Sequence, residues 1–114
     1  PYHCYCQKTS RLMSEKYKEI PIKTTFQSRF GPQEWLQPYT DKILEGLPQE
    51  GKKNILVICP GFSSDCVETL EEIAIQGKAS FMKFGGKNFD VIPCLNDNDD
   101  HINLIKKLIS NFIL

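Results

Sequence analysis

The sequence lacks several features that would assign it to a common functional class. Its 14 basic and 14 acidic residues cancel, so it has no excess of positive charge with which to bind nucleic acid. No apolar run approaches the ~20 residues that a membrane span needs, and no basic segment followed by an apolar one marks a signal peptide. We therefore expect a cytoplasmic protein with no nucleic-acid partner, and peripheral contact with a membrane stays open.

Residues with the spacing of a thiolate or imidazole metal site are also scarce. The two histidines lie far apart and in no paired ligand spacing. Of the five cysteines, Cys4 and Cys6 are separated by one residue, whereas thiolate sites usually have two. Cys59 and Cys94 each end an apolar run, which is typical of buried thiols in a reducing compartment.

The pattern of apolar and polar residues predicts one α/β domain over residues 1–114. Helical and extended segments alternate, so we expect a three-layer fold with parallel strands joined by right-handed crossovers. The predicted elements are a helix over 1–18, a strand over 23–28, a helix over 40–47, a strand over 54–58, a helix over 65–84, a strand over 89–93 and a helix from about 100 to 112.

The stretch that follows residues 54–58 is where we expect a site. That run is unbroken and rich in β-branched residues, which predicts a strand buried on both faces. Pro60-Gly61 ends it, and a side chain of residues 63–65 is expected to cap the next helix. In open parallel sheets, ligands bind just outside the carboxyl ends of the strands.

The helix after this turn carries Glu68 and Glu72, which are four residues apart and so share one helical face. Val67, Leu70 and Ala74 form another stripe, which we expect to be buried. The two acids could belong to a solvated first turn, stabilised by the helix dipole at ~0.3–1 kcal/mol each. They could also be oxygen ligands for a divalent cation, or a proton relay. The residues alone leave both interpretations open.

Three blocks of the sequence, in the same order, resemble the ferrochelatase family, whose members insert ferrous iron into protoporphyrin. The segment Phe62 to Ile73, with Ser-Ser-Asp-Cys-Val-Glu-Thr-Leu-Glu-Glu at its centre, resembles the family's signature helix. The segment Gln27 to Asp41 contains Gln-Ser, then Trp-Leu, then Pro and Thr-Asp. The third block is Cys94-Leu95-Asn96.

The resemblance implies a fold made of two similar α/β halves, each with a four-stranded parallel sheet. The chain is similar to the second half without its first strand, which in the family leads to a histidine facing the metal. The sequence opens with Pro1 rather than methionine. We therefore expect this chain to be a piece of a longer protein. Its partner is the N-terminal half of that protein, and the piece should be inactive when alone.

The resemblance also assigns roles to individual residues. Glu68 matches the family's metal-binding or proton-abstracting carboxylate, and Glu72 matches the next acid, which passes protons or metal outward. Gln76 departs from the family's pattern, in which an acid often follows. The resemblance places Phe30, Trp35 and Phe62 at or near the porphyrin. By its chemistry, Arg29 could pair with a porphyrin propionate or be an ordinary surface arginine, and Ser28 and Gln27 could supply hydrogen bonds to the porphyrin. For the aromatic residues, the residues alone favour core packing.

Ferrous iron enters this scheme as a substrate, and we expect no permanently bound cofactor. No cysteine follows Cys94 in this sequence, so we expect no iron–sulfur cluster of the C-terminal kind that some ferrochelatases carry. We expect Glu68 to face a hollow beside Trp35 and Phe62. Two alternatives remain, namely a chelatase for another tetrapyrrole and a non-catalytic α/β module that binds an anion at a helix N-terminus.

Overall fold

The structure, a computed structural model, describes residues 1–29 and 31–113. Its elements alternate in the predicted α/β order after the second helix. They are α1 (Tyr2–Lys16), α2 (Thr40–Gly46), β1 (Asn54–Val57), a π-helix (Glu68–Gly77), α3 (Lys78–Lys83), β2 (Asn88–Val91) and α4 (Asp99–Ile113). None of the helices in the described ranges is long and apolar enough to cross a membrane.

The two strands form a parallel sheet, which confirms the predicted fold class. The register runs from Asn54 opposite Asn88 to Val57 opposite Val91. The connection between the strands is helical, consisting of the π-helix and α3. A parallel pair requires such a crossover, because the chain must return to the same end of the sheet.

The core lies between this sheet and the helical connection. Its buried apolar residues are Leu44, Ile73, Phe81 and Phe89. Phe81 has no exposed surface, and its ring centroid is 5.7 Å from that of Phe89. Gly86 lies so close to Phe81 that a Cβ added there would overlap the ring. The fold therefore needs a residue without a side chain at position 86.

The other side of the sheet is exposed in the described part of the chain. Leu56 is 64% exposed and Ile58 43% exposed, so the prediction that this strand is buried on both faces is wrong for these residues. The spacing of the apolar residues in the last predicted helix also predicts a buried stripe, but in the structure the apolar side chains of α4 are all exposed. In the described residues, β1 pairs only with β2, and a parallel strand normally has covered faces and two neighbours.

The predicted strand over residues 23–28 is also wrong. This segment forms one isolated bridge, between Phe26 and Tyr39. The backbone N–H of Phe26 donates to Pro38 O at 2.9 Å, and the N–H of Thr40 donates to Phe26 O at 3.1 Å. Phe26 is buried. The β-branched and aromatic residues of this segment suit a pleated, half-buried surface. A strand also needs a neighbouring strand to pair with, and composition does not report that.

The helix predicted over 65–84 is two consecutive helices with different winding, and it begins at Glu68. No side chain caps its first residue, so the prediction that residues 63–65 cap it is wrong. The predicted buried stripe is also wrong, because Val67 is 63% and Leu70 56% exposed. The buried residues of this helix are Thr69, Ile73 and Gly77, which recur every fourth position.

Candidate functional site

The winding of the π-helix explains why its buried residues recur at every fourth position. Its backbone hydrogen bonds reach five residues back, as in the bond from Lys78 N to Ile73 O. Each turn therefore contains more residues than the 3.6 of an α-helix, and residues four apart stack more directly. Glu68, Glu72 and Gln76 share this spacing beside the buried row. Most π-helical segments are single turns and many lie at functional sites, so a ten-residue example marks this helix as the candidate site.

Glu68 is the first residue of the π-helix and is half-buried. A hydrogen bond from the Cys66 side chain, together with the backbone N–H of Glu68, holds the pKa of the Glu68 carboxyl below its ordinary value, and burial opposes this shift. The carboxyl group is therefore ionised at neutral pH. An ionised carboxylate can bind a divalent cation or accept a proton.

Glu72 is held by two residues from a distant segment. Gln27 Nε2 donates to Glu72 Oε2 at 3.0 Å, and Ser28 Oγ donates to the same oxygen at 3.0 Å. Ser28 has a φ of 60°, a conformation that few residues other than glycine adopt. The structure thus directs both side chains, which were predicted to contact porphyrin, toward the second carboxylate.

A groove of about 210 Å³ continues from Glu72 along the π-helix. It is lined by Gln27, Asp41, Leu44, Glu72, Ile73, Gln76, Gly77 and Ser80. Its volume suits waters or a hydrated ion but is below the ~300–1,000 Å³ of typical organic-ligand sites. Asp41, from α2, contributes an acid that the analysis of the sequence had not assigned to the site, although it lies in the Thr-Asp of the second block.

A second depression, of about 360 Å³, lies at the amino end of the strands and contains no predicted site residue. It is lined by Pro48, Gln49, Gly51, Lys53, Phe84 and Gly85. Neither depression is lined by Trp35 or Phe62. The expected hollow beside these two rings is therefore not one of these depressions.

The predicted porphyrin-binding residues occupy loops. Trp35 is 36% exposed in the irregular segment before α2, and Phe62 is 39% exposed in the turn after β1. The Arg29 guanidinium lies over the Tyr39 ring, 4.6 Å from its centroid. In the described part of the chain, no ring–ring contact joins Trp35 to Phe62. The prediction for Phe30 lies outside the described residues.

Asp65 connects the start of the π-helix to the loop after β2. Its carboxylate accepts hydrogen bonds from Thr69 Oγ1 at 2.9 Å, Cys94 N at 3.2 Å and Asn96 Nδ2 at 2.9 Å. The bonds from Asn96 and Thr69 are the main reasons that the pKa of Asp65 lies below its ordinary value. The sequence pattern predicts that Asp65 caps the helix or joins the row of acids about one turn before Glu68, and it does not predict these bonds, although both Asp65 and Asn96 lie in the blocks that carry the family resemblance.

Two thiols near this loop are held in the protonated form. Partial burial and the nearby Asp65 carboxylate raise the pKa of the Cys59 thiol, and burial and Asp65 raise the pKa of Cys94 to about 11. A protonated thiol is neither nucleophile nor ligand. Within residues 1–29 and 31–113, no three His, Cys, Asp or Glu side chains are grouped so as to hold a metal ion.

The raised pKa of Cys94 predicts slow alkylation. At pH 8 the thiol is about three pH units below its pKa of about 11, so on the order of one molecule in a thousand is thiolate. We expect iodoacetamide to modify Cys94 far more slowly than the exposed Cys4, as measured by peptide mass spectrometry over time. Raising the pH toward 11 should bring the alkylation rate of Cys94 closer to that of Cys4. Equal rates at pH 8 would show that the thiol is not protected.

Comparison with known proteins identifies the class to which this acidic helix at the end of a parallel strand belongs. The ferrochelatase family model matches residues 1–112. The ferrochelatase of Rhizobium etli strain CFN 42 is 57% identical over 111 residues, which are 96% of this chain and 32% of that protein. The ferrochelatase of Teredinibacter turnerae is 50% identical over 111 residues, 96% of this chain and 30% of that protein. The chain belongs to the ferrochelatase family.

A third relative extends the match slightly. The ferrochelatase of Francisella tularensis subsp. novicida is 49% identical over 117 residues, covering 99% of this chain and 35% of that protein. The chain thus spans about a third of the length of the curated relatives it matches.

Proposed function

We propose that this chain supplies one wall of an active site that inserts ferrous iron into protoporphyrin IX in haem biosynthesis. The observation that carries the proposal is the row of Glu68 and Glu72 on a ten-residue π-helix, at the carboxyl end of a parallel strand. Membership of the ferrochelatase family supports it. The reaction is that of a lyase, and we place the protein in the cytoplasm.

The chemistry requires a carboxylate with the properties of Glu68. Two pyrrole N–H protons must leave the macrocycle as Fe²⁺ enters, and the iron stays ferrous throughout. An ionised Glu68 can accept one of these protons or bind the arriving metal on one face of the ring. The second group, on the opposite face, comes from outside this chain, and we infer that it is supplied by the N-terminal part of the same protein.

We assign Glu72 to the transfer of protons or metal between Glu68 and solvent. Its two donors, Gln27 and Ser28, both bond to Oε2 and orient the side chain as an acceptor. The groove that begins at Glu72 continues past Gln76, which is neutral, but the same groove contains Asp41. A carboxylate from α2 therefore lies where the helix itself has none.

We assign the wall for the macrocycle to the loop residues. Trp35 and Phe62 offer large apolar surfaces that remain 36% and 39% exposed, as expected for rings that a flat apolar ligand would cover. Phe30 belongs to the same proposal. We assign Arg29 to pairing with a porphyrin propionate, its guanidinium lying over the Tyr39 ring.

The proposal is tested in a chimera, because this chain is about a third of its relatives. The matched residues of this chain replace their counterparts in the ferrochelatase of Rhizobium etli, to which it is 57% identical. We expect the chimera to insert Fe²⁺, under anaerobic conditions, and Zn²⁺ into protoporphyrin IX, followed by the change in the porphyrin absorption and fluorescence. The isolated chain should be inactive under the same conditions.

Two other outcomes would point to the alternatives. Insertion into sirohydrochlorin but not into protoporphyrin would favour a chelatase for another tetrapyrrole, and coproporphyrin is included to define the porphyrin. Absence of insertion, with calorimetric binding of phosphate but not of porphyrin, would favour a non-catalytic anion-binding module.

A further inference from the structure

Asn96 connects three segments of the chain through four hydrogen bonds. Its side-chain Nδ2 donates to Asp65 Oδ2 at 2.9 Å, and the backbone N–H of Asp65 donates to Asn96 Oδ1 at 2.8 Å. Its backbone N–H donates to Ser63 O at 2.9 Å. Its carbonyl lies 2.7 Å from His101 Nδ1, and because a carbonyl only accepts, that ring nitrogen carries the proton.

The pair formed by Asn96 and Asp65 is reciprocal and specific. The Asn96 amide donates to the Asp65 carboxylate through its nitrogen and accepts from the Asp65 backbone N–H through its oxygen. An ionised carboxylate has no donor, and a hydroxyl has a single oxygen, so neither could make both bonds from two separate atoms. Asn96 has a φ of 49°, in the left-handed region that asparagine tolerates better than most residues. The two bonds to Asp65 and the bond from His101 hold the loop in this conformation.

These bonds continue into the first turn of the π-helix. Asp65 Oδ1 accepts from Thr69 Oγ1, and Thr69 Oγ1 accepts from Cys66 N at 3.0 Å. Thr69 is 2% exposed, so its position is also fixed by packing. Glu68 lies between Cys66 and Thr69 in the chain, and its backbone cannot move independently of them.

We propose that Asn96 is a positioning residue for metal insertion, which acts by fixing the first turn of the π-helix and thereby the place of the Glu68 carboxylate. This inference rests on the proposed function, and it adds a residue that does not touch porphyrin or metal. His101, in the first turn of α4, bonds to the Asn96 carbonyl. Asn96 is therefore held both by Asp65, before the π-helix, and by α4.

The test compares two glycine substitutions in the active chimera. Glycine adopts a φ of 49° without strain, so Asn96→Gly removes the two side-chain bonds and leaves the backbone free to keep its conformation. We expect kcat to fall on the order of ten- to a hundredfold, because small misplacement of a reacting group has effects of this size. The KM for porphyrin should change less than about twofold, because no porphyrin contact is removed.

The control is Asn98→Gly, in the same loop. The Asn98 side chain accepts from Asp100 N at 2.9 Å, outside the contacts of Asp65. We expect its kcat and KM to match those of the parent chimera, although both glycine variants add flexibility to the loop. An equal fall in kcat for both variants would overturn the inference.

An exchange of side chains tests the pair itself. Asn96→Asp alone places two carboxylates together, and we expect a larger fall in kcat than for Asn96→Gly. The double variant Asp65→Asn with Asn96→Asp restores a donor and an acceptor between the two positions, but the new amide nitrogen would face Cys94 N, which in the parent donates to Asp65 Oδ2 at 3.2 Å. We therefore expect it to recover only part of the activity lost in Asn96→Asp. A double variant slower than Asn96→Asp would contradict a role for the pair.

Amide hydrogen exchange gives a measurement that does not depend on turnover. We expect Asn96→Gly to increase exchange in peptides covering residues 63–70, and Asn98→Gly to leave them unchanged. Unchanged exchange in Asn96→Gly would overturn the inference whether or not the chimera inserts metal. If the parent chimera inserts no metal, the proposed function fails separately. An active parent with unchanged kcat in Asn96→Gly defeats only the inference.

Discussion

Replacing Glu68 with glutamine is expected to reduce metal insertion by the chimera at least about a hundredfold, the size of effect that a general base or acid commonly provides. Glutamine keeps the shape and hydrogen-bonding reach of the side chain but has no negative charge. It therefore neither accepts a pyrrole proton nor compensates the charge of an incoming Fe²⁺. Because Glu68 is half-buried at the first residue of the π-helix, the isosteric change should leave folding intact.

The matched control is Glu71→Gln, which makes the same chemical change on the same helix. Glu71 is exposed, and its Oε1 accepts from Gln76 Nε2 at 3.4 Å. Initial rates with Zn²⁺ and protoporphyrin IX, measured alongside circular dichroism spectra, separate catalysis from folding. We expect Glu71→Gln to keep nearly full activity. If Glu68→Gln were also fully active, the assignment of this carboxylate to the reaction would be wrong.

Replacing Phe81 with alanine is expected to lower the free energy of unfolding by about 3–5 kcal/mol, the usual cost of truncating a buried phenylalanine. Phe81 has no exposed surface and packs against Phe89. Gly86 lies directly against the same ring. Backbone atoms on one side and a second ring on the other prevent the site from collapsing around the cavity, so the cost should lie toward the upper end of this range.

The control for this prediction is Phe84→Ala, three residues further along. Phe84 is 39% exposed, so its truncation removes less buried surface and should cost clearly less than Phe81→Ala. Urea denaturation of the two chimeras, followed by tryptophan fluorescence and circular dichroism, gives both values. Equal destabilisation by the two substitutions would mean that Phe81 is not the centre of this core.

The sequence predicted the α/β order and a helix that carries Glu68 and Glu72, but not the winding of that helix. Apolar residues at 67, 70 and 74 fit a period of 3.6, and an α-helix was the natural interpretation. The residues that are buried are Thr69, Ile73 and Gly77. Only one of these is a large apolar residue, so the period of four leaves almost no signal in the hydropathy pattern.

The contacts that hold Glu72 and Asp65 could not be predicted from local patterns. Gln27 and Ser28 reach Glu72 across 45 and 44 positions of sequence, and Asn96 reaches Asp65 across 31. Helix and strand patterns report on neighbours three or four residues apart, whereas these bonds depend on how whole segments are placed. The family resemblance located the blocks correctly and left the bonds between them unspecified.

The bare face of β1 has a practical consequence for handling this chain by itself. Leu56 in β1 and Ile58 directly after it are 64% and 43% exposed, and the second edge of β1 has no partner among the described residues. An unpaired strand edge beside an exposed apolar face is a template on which another molecule can add a strand. Purified in isolation, this polypeptide should oligomerise in a concentration-dependent way, and introducing lysine at position 56 is the simplest means of keeping it dispersed.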